Sequence, residues 1–541
     1  MRDLSTRFQI LACLLFILAG LAIIPYLGIQ NDEALFAAPL YQLNPKEFCF
    51  VAFHHRVPLM VMTYIGTLKT ALYVPILGIF GGNVWSVRVP MLLAGALTLF
   101  IFFKLTMRSA GPTAAAIAGL LLATDSTFLL TNTVDWGPVA LGHLFLVTGC
   151  YYLVRFCAQE PGSMRHLALG FFFFGFALWN KALFFWILAG LAAGSVLFIP
   201  ELKRLWTTKR AVTAILAFLI GASPFIMYNV RHRNATLETS AHFDPPATAF
   251  AKVPVLEATL NGAGLMGYFT TESWDVPNPK PVTTVRGKIA WGIARVFGEH
   301  RSSGMEYALG AAFLLLPWWW RLRGAWFALI FMTVVWLLMA FTKDAGGSVH
   351  HVVLIWPFPQ YFLAIALASI PWKRVAIAAG AVLAAMNLLV LDKYVLDFER
   401  NGAGGVYSDA MYGLSAAIHD SPDPAIRPRV WVTDWGMLNS LALMHRGRIE
   451  VRVGDPAFMT DTPSPQDQKE IAYILNDRDA LFVGHVESRE VEPGVRKRLA
   501  EAAERAGLHK EVLQTIFDSN GRPVFEIFRV VERAPAPPGK V

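Results

Sequence analysis

Between Phe8 and Leu391, uncharged apolar runs alternate with short polar connections, and most runs approach the roughly 20 residues a helix needs to cross a bilayer. They fall near residues 8–27, 86–103, 112–130, 138–156, 166–178, 182–199, 211–228, 307–320, 325–341, 350–370 and 374–391, which predicts about eleven membrane-spanning helices. The stretch from Leu167 to Leu197 is apolar except for Lys181 and too long for one crossing, so the pattern predicts a hairpin turning at Trp179-Asn180-Lys181. Two connections are long, 28–85 and 229–306. The first span lacks a small-residue cleavage site at its end and reads as a retained helix.

The pattern changes near Asp392. From Arg427 onward short β-type runs alternate with helical ones: strands at Val430–Thr433, Ile449–Val453, Ala480–Val483, Glu511–Phe517 and Val524–Val530, and helices at Met437–His445, Lys469–Leu475 and Val495–Ala506. The fold class is therefore a polytopic α-helical membrane domain, residues 1–391, followed by a C-terminal soluble α/β domain, residues 392–541, with a partly parallel sheet. The Pro-rich tail from Ala534 reads as disordered.

Composition agrees with that division. Only 16% of the residues are charged, against about 25% in soluble domains. The formal charge of +8 could suggest a nucleic-acid partner. The basic residues lie instead in short clusters between apolar runs, which suits anionic membrane lipids, and no nucleic-acid partner is expected. The clusters also orient the chain. Arg2, Arg7, Lys104, Arg108, Arg155, Arg165, Lys203, Arg204, Lys209, Arg210, Arg321, Arg323, Lys373 and Arg374 all fall on one side, whereas the short opposite connections carry Lys181 and Lys343. The positive-inside rule then predicts a multi-pass protein of the inner or plasma membrane, its N-terminus cytoplasmic and its C-terminal domain extracytoplasmic. The four cysteines form no CxxC pair, so neither a disulfide framework nor a thiolate metal site is expected.

Ionisable groups at span ends are the candidate chemistry, because such groups are costly in a membrane. The first span runs into Asn31-Asp32-Glu33-Ala34, two adjacent acids that make either a helix cap or a compact acidic site. Asp135, in Thr131-Asn132-Thr133-Val134-Asp135-Trp136-Gly137-Pro138, caps the next span or joins that site, with Asp125 nearby. His350-His351 enter an apolar helix after Gly346-Gly347-Ser348-Val349. In the C-terminal domain, Asp434-Trp435-Gly436 at a strand end is a cap or a ligand contact. No phosphate-loop or dinucleotide-binding glycine motif is present, so no nucleotide is expected. Neighbouring helical residues point about 100° apart, so His350 and His351 are not expected to share a metal, and no cofactor is predicted.

In these motifs the chain resembles the polyprenyl-phosphate-sugar-dependent glycosyltransferases of the GT-C fold, in the branch of protein mannosyltransferases and aminoarabinose transferases. Asn31-Asp32-Glu33-Ala34 is similar to that family's acidic motif in the first outer loop. Asp135 matches its second acid, and His350-His351-Val-Val-Leu-Ile-Trp-Pro-Phe-Pro-Gln360-Tyr361 is similar to its late, proline-bearing helix. The likeness covers about residues 8–391; Trp136-Gly137-Pro138 departs from the apolar residues usual after the second acid. It implies an inverting glycosyltransferase acting at the outer face of the membrane. The donor would be a polyprenyl-phosphate sugar and the acceptor a protein, lipid or glycan. Asp32 would be general base, with Glu33 and Asp135 orienting it or the acceptor. Outer-side groups that could meet donor phosphate or sugar are His54, His55, Arg56, Lys69, Lys181, Arg231, Lys343, His350 and His351. A transporter or flippase is the rival from another class, and it would want broken helices and an internal repeat. An accessory subunit, with idle acids, is a third.

The orientation is testable directly. Reporters fused after Lys203 and Arg321 should read as cytoplasmic and one fused after Asp392 as outer; a cytoplasmic signal from the last would break the span parity.

Overall fold

The structure, a computed structural model, describes residues 2–41, 48–276, 279–420 and 427–532. The tail from Ala534, expected to be disordered, lies outside the described residues.

Helix α1 (Arg2–Ile23) leads through a turn into the short helix α2 (Asn31–Ala34). Two small antiparallel hairpins follow, β1 (Cys49–Ala52) with β2 (His55–Pro58) and β3 (Met60–Met62) with β4 (Ile65–Gly66). Then come α3 (Leu68–Phe80) and α4 (Val84–Ser109), the second started by Asn83, whose side chain accepts from the backbone N–H of Trp85 and Ser86. Five more helices follow: α5 (Gly111–Thr124), α6 (Ser126–Thr133), α7 (Val139–Cys157), α8 (Ser163–Asn180) and α9 (Phe184–Ser195).

Among the described residues seven helices are long and apolar enough to cross a membrane, or nine if each of two bent pairs is one span. These correspond to nine of the eleven predicted runs. The other two are α8 and the run near 307–320. That run is broken into a helix (Met305–Ala311), a 3₁₀ turn and a second short helix (Leu316–Trp319). A proline at 317 and the short apolar length account for the break.

Both bends meet at one carboxylate. Asp125 separates α5 from α6, which cross at 58°, and its Oδ1 accepts from Phe128 N at 2.7 Å to start α6. Its Oδ2 accepts from Trp356 Nε1 at 3.0 Å and Gln360 Nε2 at 2.7 Å, from the other bent pair, Val349–Ile355 and Phe358–Ser369. The acid seen in the sequence is thus a fastener between two interrupted spans. The hairpin at Lys181 is present as expected: α8 ends at Asn180, and Ala182 N bonds Tyr64 O at 2.9 Å, so the turn is stitched to the long loop that follows α1.

The last long helix continues past Asp392 to Asn401. Beyond it the strands β5 (Arg429–Val432), β6 (Glu450–Val453), β7 (Leu481–His485), β8 (Leu508–Phe517) and β9 (Pro523–Glu532) form one sheet in the order β6-β5-β7-β9-β8. β5 runs parallel to β6 and β7, whereas β9 is antiparallel to β7 and β8. Alternation gives the sheet two apolar faces. Val430, Val432, Val483 and Ile527 pack with helices on one side, and Trp431, Phe482 and Phe528 with helices on the other.

This domain touches the membrane part at its acidic motif. Asn439 N donates to Asn31 Oδ1 at 3.0 Å, Ser440 Oγ to Ile29 O at 3.0 Å, and Gly28 N to Tyr407 O at 2.8 Å. The loop that follows α1 and the C-terminal domain therefore meet in one place.

Candidate active site

The site begins with how α2 is held. Gln30 caps it, with Oε1 accepting from Asp32 N at 2.6 Å and Glu33 N at 3.1 Å, while Glu33 Oε2 accepts back from Gln30 N. Glu33 is fully buried and meets Arg88 of α4 in a two-pronged ion pair, Nε to Oε1 at 2.7 Å and Nη2 to Oε2 at 2.9 Å. The three remaining guanidinium N–H groups donate to the carbonyls of Ile24, Leu27 and Gly28, the C-terminal exit of the first span. All five donors are satisfied, so Arg88 locks the first span, α2 and α4 into one unit.

Asp135 is also engaged. Its Oδ1 accepts from Val139 N at 2.9 Å and Ala140 N at 3.0 Å, capping α7, and its Oδ2 lies 2.8 Å from Lys69 Nζ, both side chains wholly buried. Lys69 also sits over the Phe36 ring at 4.5 Å. Two of the three predicted acids are thus neutralised by a buried cation.

Asp32 differs. It is half-buried, and among the described residues it has no cation at ion-pair distance; Trp136 Nε1 donates to its Oδ2 at 3.3 Å. Burial pushes its carboxyl up from the ordinary value, opposed by hydrogen bonds from Gln30, Trp136 and Asn31 and by the charge of Lys181. Aromatic rings flank it. Trp136 stacks on Tyr268 with centroids 4.7 Å apart, lies 4.1 Å from His350, and packs against Tyr407. The departure at Trp136-Gly137-Pro138 is therefore the hub of an aromatic wall. Gly137 makes the turn with φ +69°, and a β-carbon there would sit 3.6 Å from Lys181 Nζ and 4.0 Å from His350 Cδ2.

Lys181 is 4% exposed, yet among the described residues its Nζ has no ion pair and no hydrogen bond. Burial pulls it down to about 8, against the pull of the Asp135 and Asp32 carboxylates. An isolated buried ammonium is costly, and an incoming anion would relieve it. His350 and His351 lie together, rings 4.1 Å apart, each with Nδ1 on Ser348 Oγ at 2.9 and 3.3 Å. The 100° expected between neighbours does not separate them, because both sit in the first turn and fold back onto Ser348. No group of three metal-ligating side chains is gathered among the described residues.

The other predicted contacts lie outside this cluster. His54, His55 and Arg56 are exposed on the β1–β2 hairpin. Arg231 is exposed and stacks on Phe48 at 4.6 Å; Lys343 is exposed as well. Arg88 was missed, although an arginine inside a long apolar span is the signal that finds it. Tyr268 and Tyr407 come from distant segments and had no local signature.

The model of the dolichyl-phosphate-mannose-protein mannosyltransferase family matches residues 71–228, which include Arg88, Asp135 and Lys181. ArnT from Cupriavidus metallidurans bound to undecaprenyl phosphate aligns over 97% of this chain and 98% of that one, with TM-score 0.57 and 13% identity. The Archaeoglobus fulgidus oligosaccharyltransferase in complex with zinc and sulfate aligns over 96% and 72%, with TM-score 0.53 and 12% identity. The chain has the GT-C fold. No protein of curated function matches the sequence. The matched segment carries Arg88 and Lys181, two of the three cations around the acids, whereas Lys69, Asp32 and Glu33 lie before it.

Removing one partner of the Arg88–Glu33 pair should leave a buried charge uncompensated. Arg88→Leu is expected to destabilise the protein by about 3–5 kcal/mol, and Arg88→Leu with Glu33→Leu by much less. Thermal unfolding in detergent measures both; equal losses would show that the pair does not hold the site.

Proposed function

We propose that the protein is an inverting membrane glycosyltransferase. It transfers a sugar from a polyprenyl-phosphate donor to an acceptor at the outer face of the membrane, with Asp32 as general base. The observation that carries this reading is the contrast among the acids. Glu33 and Asp135 are each engaged by a buried cation, whereas Asp32 stands beside an aromatic wall and an unpaired lysine.

The chemistry follows from those two groups. The acceptor's nucleophilic atom bonds the anomeric carbon as the bond from that carbon to the donor phosphate oxygen breaks on the opposite face, inverting the centre. The acceptor proton passes to the Asp32 carboxylate, which burial makes more basic. The departing phosphate takes the bonding pair, and the Lys181 ammonium stabilises its charge. Trp136 and Tyr268 offer ring faces to a sugar, with Tyr407 buried behind them. Glu33 and Asp135 act through position, and Lys69 holds Asp135. His350 is near enough to Trp136 and Lys181 to donate to phosphate or sugar. His351 supports it through their common bond to Ser348. The reading assigns no metal or other cofactor. The acceptor, protein, lipid or glycan, approaches from the side where the C-terminal domain covers α2. The cytoplasmic N-terminus and outer C-terminal domain belong to the same proposal and rest on the placement of basic residues.

The two bent spans are what a transporter reading would call on. Both bends are tied to one buried Asp125, which fixes them rather than lets them rock.

Two experiments test the assignment. Asp32→Asn keeps shape and removes the proton acceptor, so the transfer rate should fall about 10²–10⁴-fold while donor affinity survives. Normal transfer by that variant overturns the base. Lys181 should be charged below about 8 and neutral above it. Affinity for an undecaprenyl-phosphate analogue should therefore fall as pH rises through that value, with proton uptake on binding above it. Lys181→Ala should weaken binding by roughly 1.5–3 kcal/mol and remove that pH step; an unchanged pH profile would demote Lys181.

A further inference from the structure

A cavity with several charged side chains in its lining lies in the C-terminal domain. It is lined by Val406, Ser408, His485, Arg489, Asp518 and Arg522, among others. His485 is the last residue of β7, which pairs in parallel with β5. The cavity therefore lies at the carboxyl end of a parallel strand pair, where α/β sheets place ligands.

Its charges do not cancel. Asp518, the acid in the lining, is fully occupied: Oδ1 accepts from Asn520 N at 2.9 Å and Arg522 N at 2.8 Å, and Oδ2 from Arg522 Nε at 2.6 Å. Arg522 places Nη2 on Ala403 O at 3.2 Å, while its buried Nη1 has no acceptor among the described residues. The half-buried Arg489 guanidinium has no ion pair or side-chain hydrogen bond among them either. His485 donates from Nδ1 to Asp434 Oδ2 at 2.7 Å, and Asp434 also takes the backbone N–H groups of Val491 and Glu492 at 3.0 Å each. That leaves His485 Nε2 without a partner among the described residues. The lining thus offers one whole guanidinium, an unused N–H of another and an imidazole nitrogen.

We propose that this cavity is an oxyanion site that takes a phosphate or carboxylate group of a bound molecule. The planar fork of an arginine matches either group, and two guanidiniums beside a saturated carboxylate leave a positive potential. The site is linked to the proposed transfer centre through the chain. Val406 and Ser408 line it, and Tyr407 between them belongs to the aromatic wall beside Asp32, its carbonyl bonded to Gly28 N. Resting on the transferase reading, the molecule it holds is the acceptor, which places an anionic acceptor among the substrates.

The test uses the full-length protein in phosphatidylcholine nanodiscs and carries Lys181→Ala, so that the proposed donor-phosphate group is absent. Calorimetric titration with inorganic phosphate should reveal one saturable site. Adding Arg489→Gln should weaken it about tenfold or more, and Arg489→Lys should restore part of the loss. Displacement of phosphate by phosphatidylglycerol in the nanodisc would identify a lipid headgroup as the source, and undiminished binding a soluble anion. Absence of saturable binding, or binding that Arg489→Gln leaves unchanged, overturns the proposal. Failure of Lys181→Ala to weaken donor-analogue binding would instead strike the transferase reading and leave this site standing.

Discussion

A single arginine sets the geometry around the acidic motif. Arg88 enters the chain one turn into α4, in surroundings that exclude water, and its five N–H groups demand five acceptors there. Three come from the backbone where the first span ends and two from Glu33. Because an unmatched buried charge would cost several kcal/mol, none of these groups can drift without loss to the rest. The direction of α2, and with it the position of Asp32 beside Glu33, follows from that demand.

The neighbouring ionisable groups divide by the same logic. Where carboxylate and cation meet directly, as in Glu33–Arg88 and Asp135–Lys69, the charges cancel and the groups become structural. Asp32 and Lys181 influence each other without an ion pair, so each keeps an unmet electrostatic need. That unmet need is what the proposed roles of Asp32 and Lys181 rest on.

Much of this was legible in the chain. The helical runs, the hairpin at Lys181 and the five strands of the C-terminal sheet follow from periodicity, since each is a local pattern with its own turn chemistry. The acids were visible because charge is rare in that part of the sequence. Their division of labour was not, since it depends on partners far along the chain: Glu33 on Arg88, Asp135 on Lys69. His54, His55, Arg56, Arg231 and Lys343 were chosen by sidedness alone, and sidedness does not fix distance from Asp32. The bends at Asp125 and before Phe358 escaped because an apolar run reads as straight. The departure at Trp136 carried more information than the motif it interrupts, for it placed the largest ring of the wall.

The contacts between Asn31 and Asn439 join residues 408 positions apart. The acidic motif is synthesised well before the groups that close over it. A nascent chain would therefore carry Asp32 through most of its membrane insertion before Tyr407, Asn439 and Ser440 arrive. Closure of such a long loop comes late in folding. The acidic motif gains its full set of partners only when segments made at widely separated times have come together.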